Sequence, residues 1–392
     1  MNRQKYWMHL RMHDESKYGN FIQGIKDKDL FRQAKVYYHT HDAEYDYEGK
    51  RIINFSSNSY LGMHLDQQLI QASVEATQRY GVSSTASRLV CGTLPLHADL
   101  EAAICDWKGA EASIVFNSGF QANVGLLQAL ADSGTMIFVD RLVHASIIDG
   151  VRLSGAKFQR FKHNDMSSLN DLLKRYESVE NKIIVSETVF SMDGDMAPVD
   201  DLIGLSKQYK AFLYLDDAHG AGVYGEAGCG PTGKWAKDVD LLLGTFSKAF
   251  GSFGAYACMS KSIKDYLLNT CRSYIFSTAL PPGVVAANLK AVELMCTKEY
   301  EAKRKYVMDM SRKLRCSLEA KAYKLVDGDG PIVAIIMGEE KLALEKSKNL
   351  LDKGFLVPAI RPPTVPKGTA RLRLTLSSLH TEEQVVALLD VL

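Results

Sequence analysis

The chain of 392 residues has no two cysteines in a CxxC spacing. Its seven cysteines (Cys91, Cys105, Cys229, Cys258, Cys271, Cys296 and Cys316) are scattered and odd in number. That pattern speaks against a disulfide framework or a cysteine zinc site, and fits free thiols of a reducing compartment. No HExxH motif occurs, and no metal is expected. Charge of one sign is also missing. Lys and Arg number 47 against 46 Asp and Glu, and no long single-sign run appears. The balance gives no support to a nucleic-acid-binding face or an anionic membrane surface. No stretch of about 18 apolar residues exists to span a membrane. The opening MNRQKYWMHLRMHDESKYGN lacks the apolar core of roughly 7–15 residues that marks a secretory signal. No internal repeat, low-complexity tract or Pro-rich linker is present. A soluble cytoplasmic protein is the expectation.

What is present is enough apolar sequence, 46%, for a large core and two domains. TMIFVD (135–140), KIIVSE (182–187), AFLYLD (211–216), DLLLGTF (240–246) and GAYACM (254–259) read as buried strands. Helical patterns such as MSSLNDLLKRYESV and VDDLIGLSKQYK lie between them. The alternation predicts an α/β fold with a mostly parallel, doubly wound sheet covered on both faces. After about residue 285 the texture changes to long charged helices, then PIVAIIMG, a helix, and ARLRLTLS with period-2 alternation. The chain closes on TEEQVVALLDVL, where Thr381 and Gln384 fit a capping box. Three parts are expected: an N-terminal arm and hairpin over 1–50, a large domain over 51–285, and a smaller α+β domain over 286–392.

In such sheets ligands sit beyond the carboxyl ends of the strands. The loop GTFSKAFGSFGAY (244–256) follows one of them. Its Lys248 has no charged residue within seven positions on its C-terminal side, and the nearest on the other side is Asp240. A lysine in such surroundings has a lowered pKa, and its neutral amine can attack an aldehyde. Other post-strand segments carry Asp216 and His219 (LDDAHG) and His144 (VDRLVHAS). FNSGFQANVGLLQAL (116–130) places small residues before a helix, an anion site made of free N–H groups.

An amine nucleophile, a carboxylate, two imidazoles and a phosphate cradle together suit pyridoxal 5'-phosphate. Lys248 is the expected covalent attachment point. Asp216 is expected at the ring nitrogen, His219 at the ring hydroxyl and His144 on the ring face. Thr245, with Gly119 and Phe120 at the helix start, is expected at the phosphate. Gly251, Ser252 and Gly254 are expected to leave room for a flat ring and to let the backbone turn.

One stretch points elsewhere. GCGPTGKW (228–235) satisfies GxGxxG and most of GxxxxGK[ST]. Trp235 stands where a magnesium-binding hydroxyl is needed, Pro231 interrupts the stretch and no strand leads into it, so a loop is expected.

The segments NFSSNSYLG (54–62), SRLVCGTLPLHADLE (87–101), FNSGFQANVG (116–125), DRLVHASIIDG (140–150), RFKHND (160–165), ETVFSMDGDMAP (187–198), LDDAHGAGVYGE (215–226), TFSKAFGSFGA (245–255) and YIFSTALPP (274–282) resemble the α-oxoamine synthases, a branch of the fold-type I pyridoxal-phosphate transferases. The resemblance runs from about Phe31 to the C-terminus. It implies decarboxylative joining of an amino acid to an acyl-CoA. It implies that Lys248 also moves the substrate α-proton, and that Ser191 joins the cofactor set. Arg32, Asn58, His144, Arg361, Thr364 and Arg373 become candidates for substrate contact. It further implies a homodimer in which Ser277 and Thr278 serve the partner's phosphate. AIRPPTVPKGTARLRLTLS (359–377) favours members that use L-alanine and a pimeloyl thioester. SSTASRLVCGT (83–93) has fewer glycines than many synthases, as in sister enzymes that use glycine and acetyl-CoA. Asn58-Ser59-Tyr60 departs from the Asn-Asp-Tyr common in the branch, so the substrate stays open.

Overall fold

Seven strands build the central sheet, in an order different from that of the chain. The computed structural model describes residues 15–28 and 30–392, with the backbone alone for 234–236. Residues 1–14 and 29 of the expected N-terminal arm therefore lie outside the described residues. A meander comes first: β1 (Tyr38–His41), β2 (Glu44–Tyr47) and β3 (Lys50–Asn54). The large sheet follows with β4 (Ala112–Phe116), β5 (Met136–Asp140), β6 (Lys157–Phe161), β7 (Lys182–Glu187), β8 (Phe212–Asp216), β9 (Leu241–Thr245) and β10 (Ala255–Met259). Its order is β4-β10-β9-β8-β7-β5-β6. Pairing is parallel throughout, except that β10 runs antiparallel to both neighbours.

The apolar runs explain these strands. Ile137, Phe138, Ile184, Leu213 and Leu243 have no exposed surface, as a sheet with helices on both faces requires. One consequence decides where chemistry can occur. The carboxyl ends of β4, β5, β7, β8 and β9 all open on one edge, so the segments that follow them converge there.

A second core gathers Phe55, Leu314, Val333, Leu372, Leu374 and Leu388. It lies under β11 (Ile332–Gly338), β13 (Ala359–Ile360) and β14 (Ala370–Thr375), ordered β11-β14-β13. The two-residue β12 (Phe355–Leu356) instead pairs in parallel with β3. The hairpin near the N-terminus is thus stitched to the C-terminal part of the chain.

Local signals account for the ends of helices. Ser118 accepts from Gln121 N at the head of the helix Gly119–Leu130. The capping box of Thr381 and Gln384 is formed. The long charged stretch divides at Cys296 and Thr297 into the helices Pro282–Met295 and Lys298–Ala320. The alternation in ARLRLT does not expose one face: all six residues of β14 are buried. Arg371 and Arg373 reach into the loop after β7 and find acceptors there.

The glycines of GCGPTG serve packing. A Cβ on Gly230 would stand 2.2 Å from Asp217 Oδ2. That carboxylate pairs with Lys108 Nζ at 3.0 Å, and Lys108 also donates to Cys229 O at 2.7 Å. The turn wraps a buried ion pair. Gly251 has a positive φ of 62°, as the expected backbone turn requires. A Cβ there would meet His64 N at 2.1 Å, so its bareness admits a neighbouring backbone rather than a ring.

Candidate active site

The isolation of Lys248 in sequence is not isolation in space. The chain after β9 returns it toward the ends of β7 and β8, where Glu187 and Asp216 are paired by the strand register. Burial of its amine lowers the pKa to about 8, against the opposite pull of the Asp216 and Glu187 carboxylates. An amine so placed is partly neutral near neutral pH.

Asp216 is buried at the tip of β8. Its Oδ1 accepts from Ala218 N at 3.0 Å and its Oδ2 from Asn123 Nδ2 at 2.7 Å. His219 lies one turn on, with Nδ1 2.6 Å from the Tyr60 hydroxyl. Burial, and then the positive charge of Lys248, hold its pKa well below the usual imidazole range. His144 caps the helix Ala145–Ser154, and its Nδ1 lies 2.7 Å from Ser146 Oγ. Burial lowers its pKa too. The ring of Phe120 meets that of His144 edge-on, centroids 6.3 Å apart. Gly119 opens the helix after β4, and Thr245 is its neighbour across the edge. Thr245 Oγ1 donates to Gly254 O at 2.8 Å.

Arg373 joins the second core to this edge. Its Nε donates to Ser191 O at 2.6 Å, Nη1 to Thr375 Oγ1 at 2.9 Å and Nη2 to Asn58 Oδ1 at 3.1 Å. Lys248, Asp216, His219, His144, Thr245, Gly119, Ser191, Asn58 and Arg373 are thus brought to one region.

Arg32, Arg361 and Thr364 stand apart. Arg32 lies on an exposed segment. Arg361 is near it, with Nη2 donating to Phe31 O at 3.3 Å. Thr364 is exposed on the turn that follows Arg361. Ser277 and Thr278 sit in this chain beside the helix start: Gln121 donates to Ser277 Oγ, and Asn117 Nδ2 donates to Thr278 O at 2.8 Å.

Several site residues escaped the sequence reading. Glu187 accepts from His144 N at 2.5 Å. Burial, reinforced by Asp216, raises its pKa well above the carboxylate range. Its signal was the last letter of KIIVSE, the same post-strand position as Asp216. Tyr60, Asn123, Ser146 and Tyr214 act through hydrogen bonds that no spacing reveals.

Residues 50–392 match the family described as aminotransferase class I and II. The 8-amino-7-oxononanoate synthase of Trichlorobacter lovleyi is 48% identical over 344 residues, 86% of this chain and 87% of the relative. That of Geobacter sulfurreducens is 43% identical over 93% of this chain and 94% of its own. Among solved structures, the serine palmitoyltransferase of Sphingomonas wittichii superposes with a TM-score of 0.91 at 33% identity, over 97% of each chain.

Proposed function

Because this chain belongs to the aminotransferase class I and II family, and is a pyridoxal-phosphate-dependent α-oxoamine synthase within it, we propose the following reaction. L-alanine is joined to a pimeloyl thioester, with release of the thiol and carbon dioxide, to give the biotin precursor 8-amino-7-oxononanoate. The chemistry rests on one observation above all: the Lys248 amine stands beside the carboxylates of Asp216 and Glu187, which the strand register pairs. The choice of substrates is supported by the names of relatives 43–48% identical to the chain.

The residues fit the cofactor. A Cβ on Gly119 would meet nothing nearer than Thr245, at 3.9 Å. That leaves an open cradle at a helix N-terminus, suited to a phosphate. Phe120 adds a second backbone N–H, and Ser191 a hydroxyl. Bound there, pyridoxal 5'-phosphate supplies an aldehyde and a protonated ring that withdraws electrons from the substrate Cα.

The chain's own groups do the rest. Asp216 would accept the hydrogen bond of the ring nitrogen. His219, with Nδ1 engaged by Tyr60, keeps Nε2 for the ring hydroxyl. His144 would cover the ring face and touch substrate. The neutral Lys248 amine would take up the Cα proton. Arg373 is held by Ser191 O, Thr375 and Asn58. A guanidinium so fixed suits a carboxylate, with Asn58 beside it. Arg32, Arg361 and Thr364 would serve the acyl chain from the rim.

A second copy of the chain is part of this reading. Phe276 (70% exposed) directly precedes Ser277, and Leu89 and Val90 (78%) follow Ser87, which bridges to Thr278. Such apolar exposure supports an interface, across which Ser277 and Thr278 would serve the partner's phosphate. Sedimentation as a dimer supports this; a monomer at working concentration contradicts it. Among the described residues no helix is long and apolar enough to cross a membrane.

A second reading has its own support in the fold likeness to a serine palmitoyltransferase. A glycine-using synthase is the third candidate. The test is the visible spectrum of the cofactor-loaded protein during titration with L-alanine, L-serine and glycine in turn. The largest change, at the lowest concentration, is expected with L-alanine. A stronger response to serine or glycine would move the assignment to the corresponding sister reaction.

A further inference from the structure

Asn123 lies one turn inside the helix Gly119–Leu130 and is 1% exposed. Every polar atom of its side chain is engaged. Its Oδ1 accepts from the Tyr214 hydroxyl at 2.7 Å. Its Nδ2 donates to Asp216 Oδ2 at 2.7 Å and to Ser146 Oγ at 3.0 Å. Ser146 Oγ in turn lies 2.7 Å from His144 Nδ1. The close approach of the two helices depends on Gly150, where a Cβ would stand 2.7 Å from Asn123 O.

The protons in this network run one way. The Asp216 carboxylate can only accept, so the atom that meets its Oδ2 is Asn123 Nδ2. That turns Oδ1 to Tyr214, whose buried hydroxyl keeps its proton and donates it, and leaves the second amide N–H for Ser146. Ser146 N points at His144 Nδ1, at 3.3 Å, so Nδ1 is itself an acceptor. The Ser146 hydroxyl therefore donates to it. The His144 proton is left on Nε2, the free side of the ring.

We infer that Asn123 is a positioning residue that sets the Asp216 carboxylate and the His144 tautomer together, through one directional hydrogen-bond chain from Tyr214. The inference rests on the proposed cofactor roles of Asp216 and His144. No other side chain of this size meets the same demands. Aspartate would place a second carboxylate against Asp216. Leucine would leave the Tyr214 hydroxyl and the Asp216 oxygen without partners.

The test uses the full chain as wild type, Asn123→Ala and Tyr214→Phe. The first readout is nitrogen NMR of isotope-labelled histidine in the cofactor-free protein, with His144 assigned by a His144→Gln variant. Wild type should show the Nε2–H tautomer, and both variants should shift the His144 signals toward a tautomer mixture. The second readout is pyridoxal 5'-phosphate affinity, expected to fall roughly 10-fold or more in Asn123→Ala, as for lost hydrogen bonds to a charged group. A folded Asn123→Ala protein with unchanged His144 signals and unchanged affinity overturns the inference. If that variant does not fold, the same two results in Tyr214→Phe overturn it. Failure of wild type to bind the cofactor would instead sink the cofactor reading, while the tautomer measurement would still decide the role of Asn123.

Discussion

The Tyr60 hydroxyl stands 2.6 Å from His219 Nδ1, and both side chains are buried. Burial lifts the phenol pKa to about 12, so Tyr60 keeps its proton in the hydrogen bond to His219 Nδ1. Tyr60→Phe leaves that nitrogen buried without a partner, at a cost of about 1–3 kcal/mol. The expected outcome is a lower urea midpoint together with weaker pyridoxal-phosphate binding. Wild-type values for both would show that the contact sets neither.

Lys248 governs a pH dependence. With its pKa lowered to about 8 by burial, the neutral amine increases as pH rises through that value. The rate of covalent cofactor capture, followed as growth of visible absorbance after mixing, should rise through about pH 8 and level above it. An inflection at the ordinary lysine pKa would mean that the amine is not desolvated.

His163 is a second pH-dependent group, away from the chemistry. It bridges Asp140 Oδ1 at 3.0 Å and Asp195 Oδ2 at 2.7 Å. Burial alone would lower its pKa, but the two aspartates overcome it and raise the value to about 10. A base whose pKa rises on folding stabilises the fold fully below its unfolded value, about 6.5. That contribution is lost as pH climbs toward about 10. His163→Gln should therefore destabilise the protein at about pH 6 and much less at about pH 10. Denaturant midpoints of the two proteins across that window check it; a difference independent of pH would contradict the charged bridge.

The Lys108–Asp217 pair is almost fully excluded from solvent, with side chains 1% and 0% exposed. Lys108→Met removes one charge and leaves the other buried beside Thr188 alone. A loss of about 3–5 kcal/mol is expected by urea unfolding. A near-neutral result would show that Asp217 takes up a proton without strain.

How far the site could be read from sequence depended on where each residue sits. Lys248, Asp216 and His144 follow apolar runs, and a parallel sheet must bring such positions to one edge. Glu187 occupies the same kind of position but reads as the end of a strand. Its meaning comes from the register that sets it beside Asp216. Asn123 reads as an ordinary polar residue in a helix, because its importance lies in three contacts made across 23 to 93 residues of chain. Arg371 and Arg373 share one face of a strand whose sequence alternates with period 2. They are buried because the loop after β7 supplies Asp193 and Ser191 O as partners. The pairing of β12 with β3 joins segments about 300 residues apart, and two residues of strand carry no periodic signal.

The most direct measurement is of the product. The cofactor-loaded protein is incubated in parallel with L-alanine and pimeloyl-CoA, with L-serine and palmitoyl-CoA, and with glycine and acetyl-CoA, each with a Lys248→Ala control. Mass spectrometry should find 8-amino-7-oxononanoate in the first mixture and no condensation product in the control. Product in the serine or glycine mixture and none with alanine, or equal product from the Lys248→Ala protein, would contradict the proposed reaction.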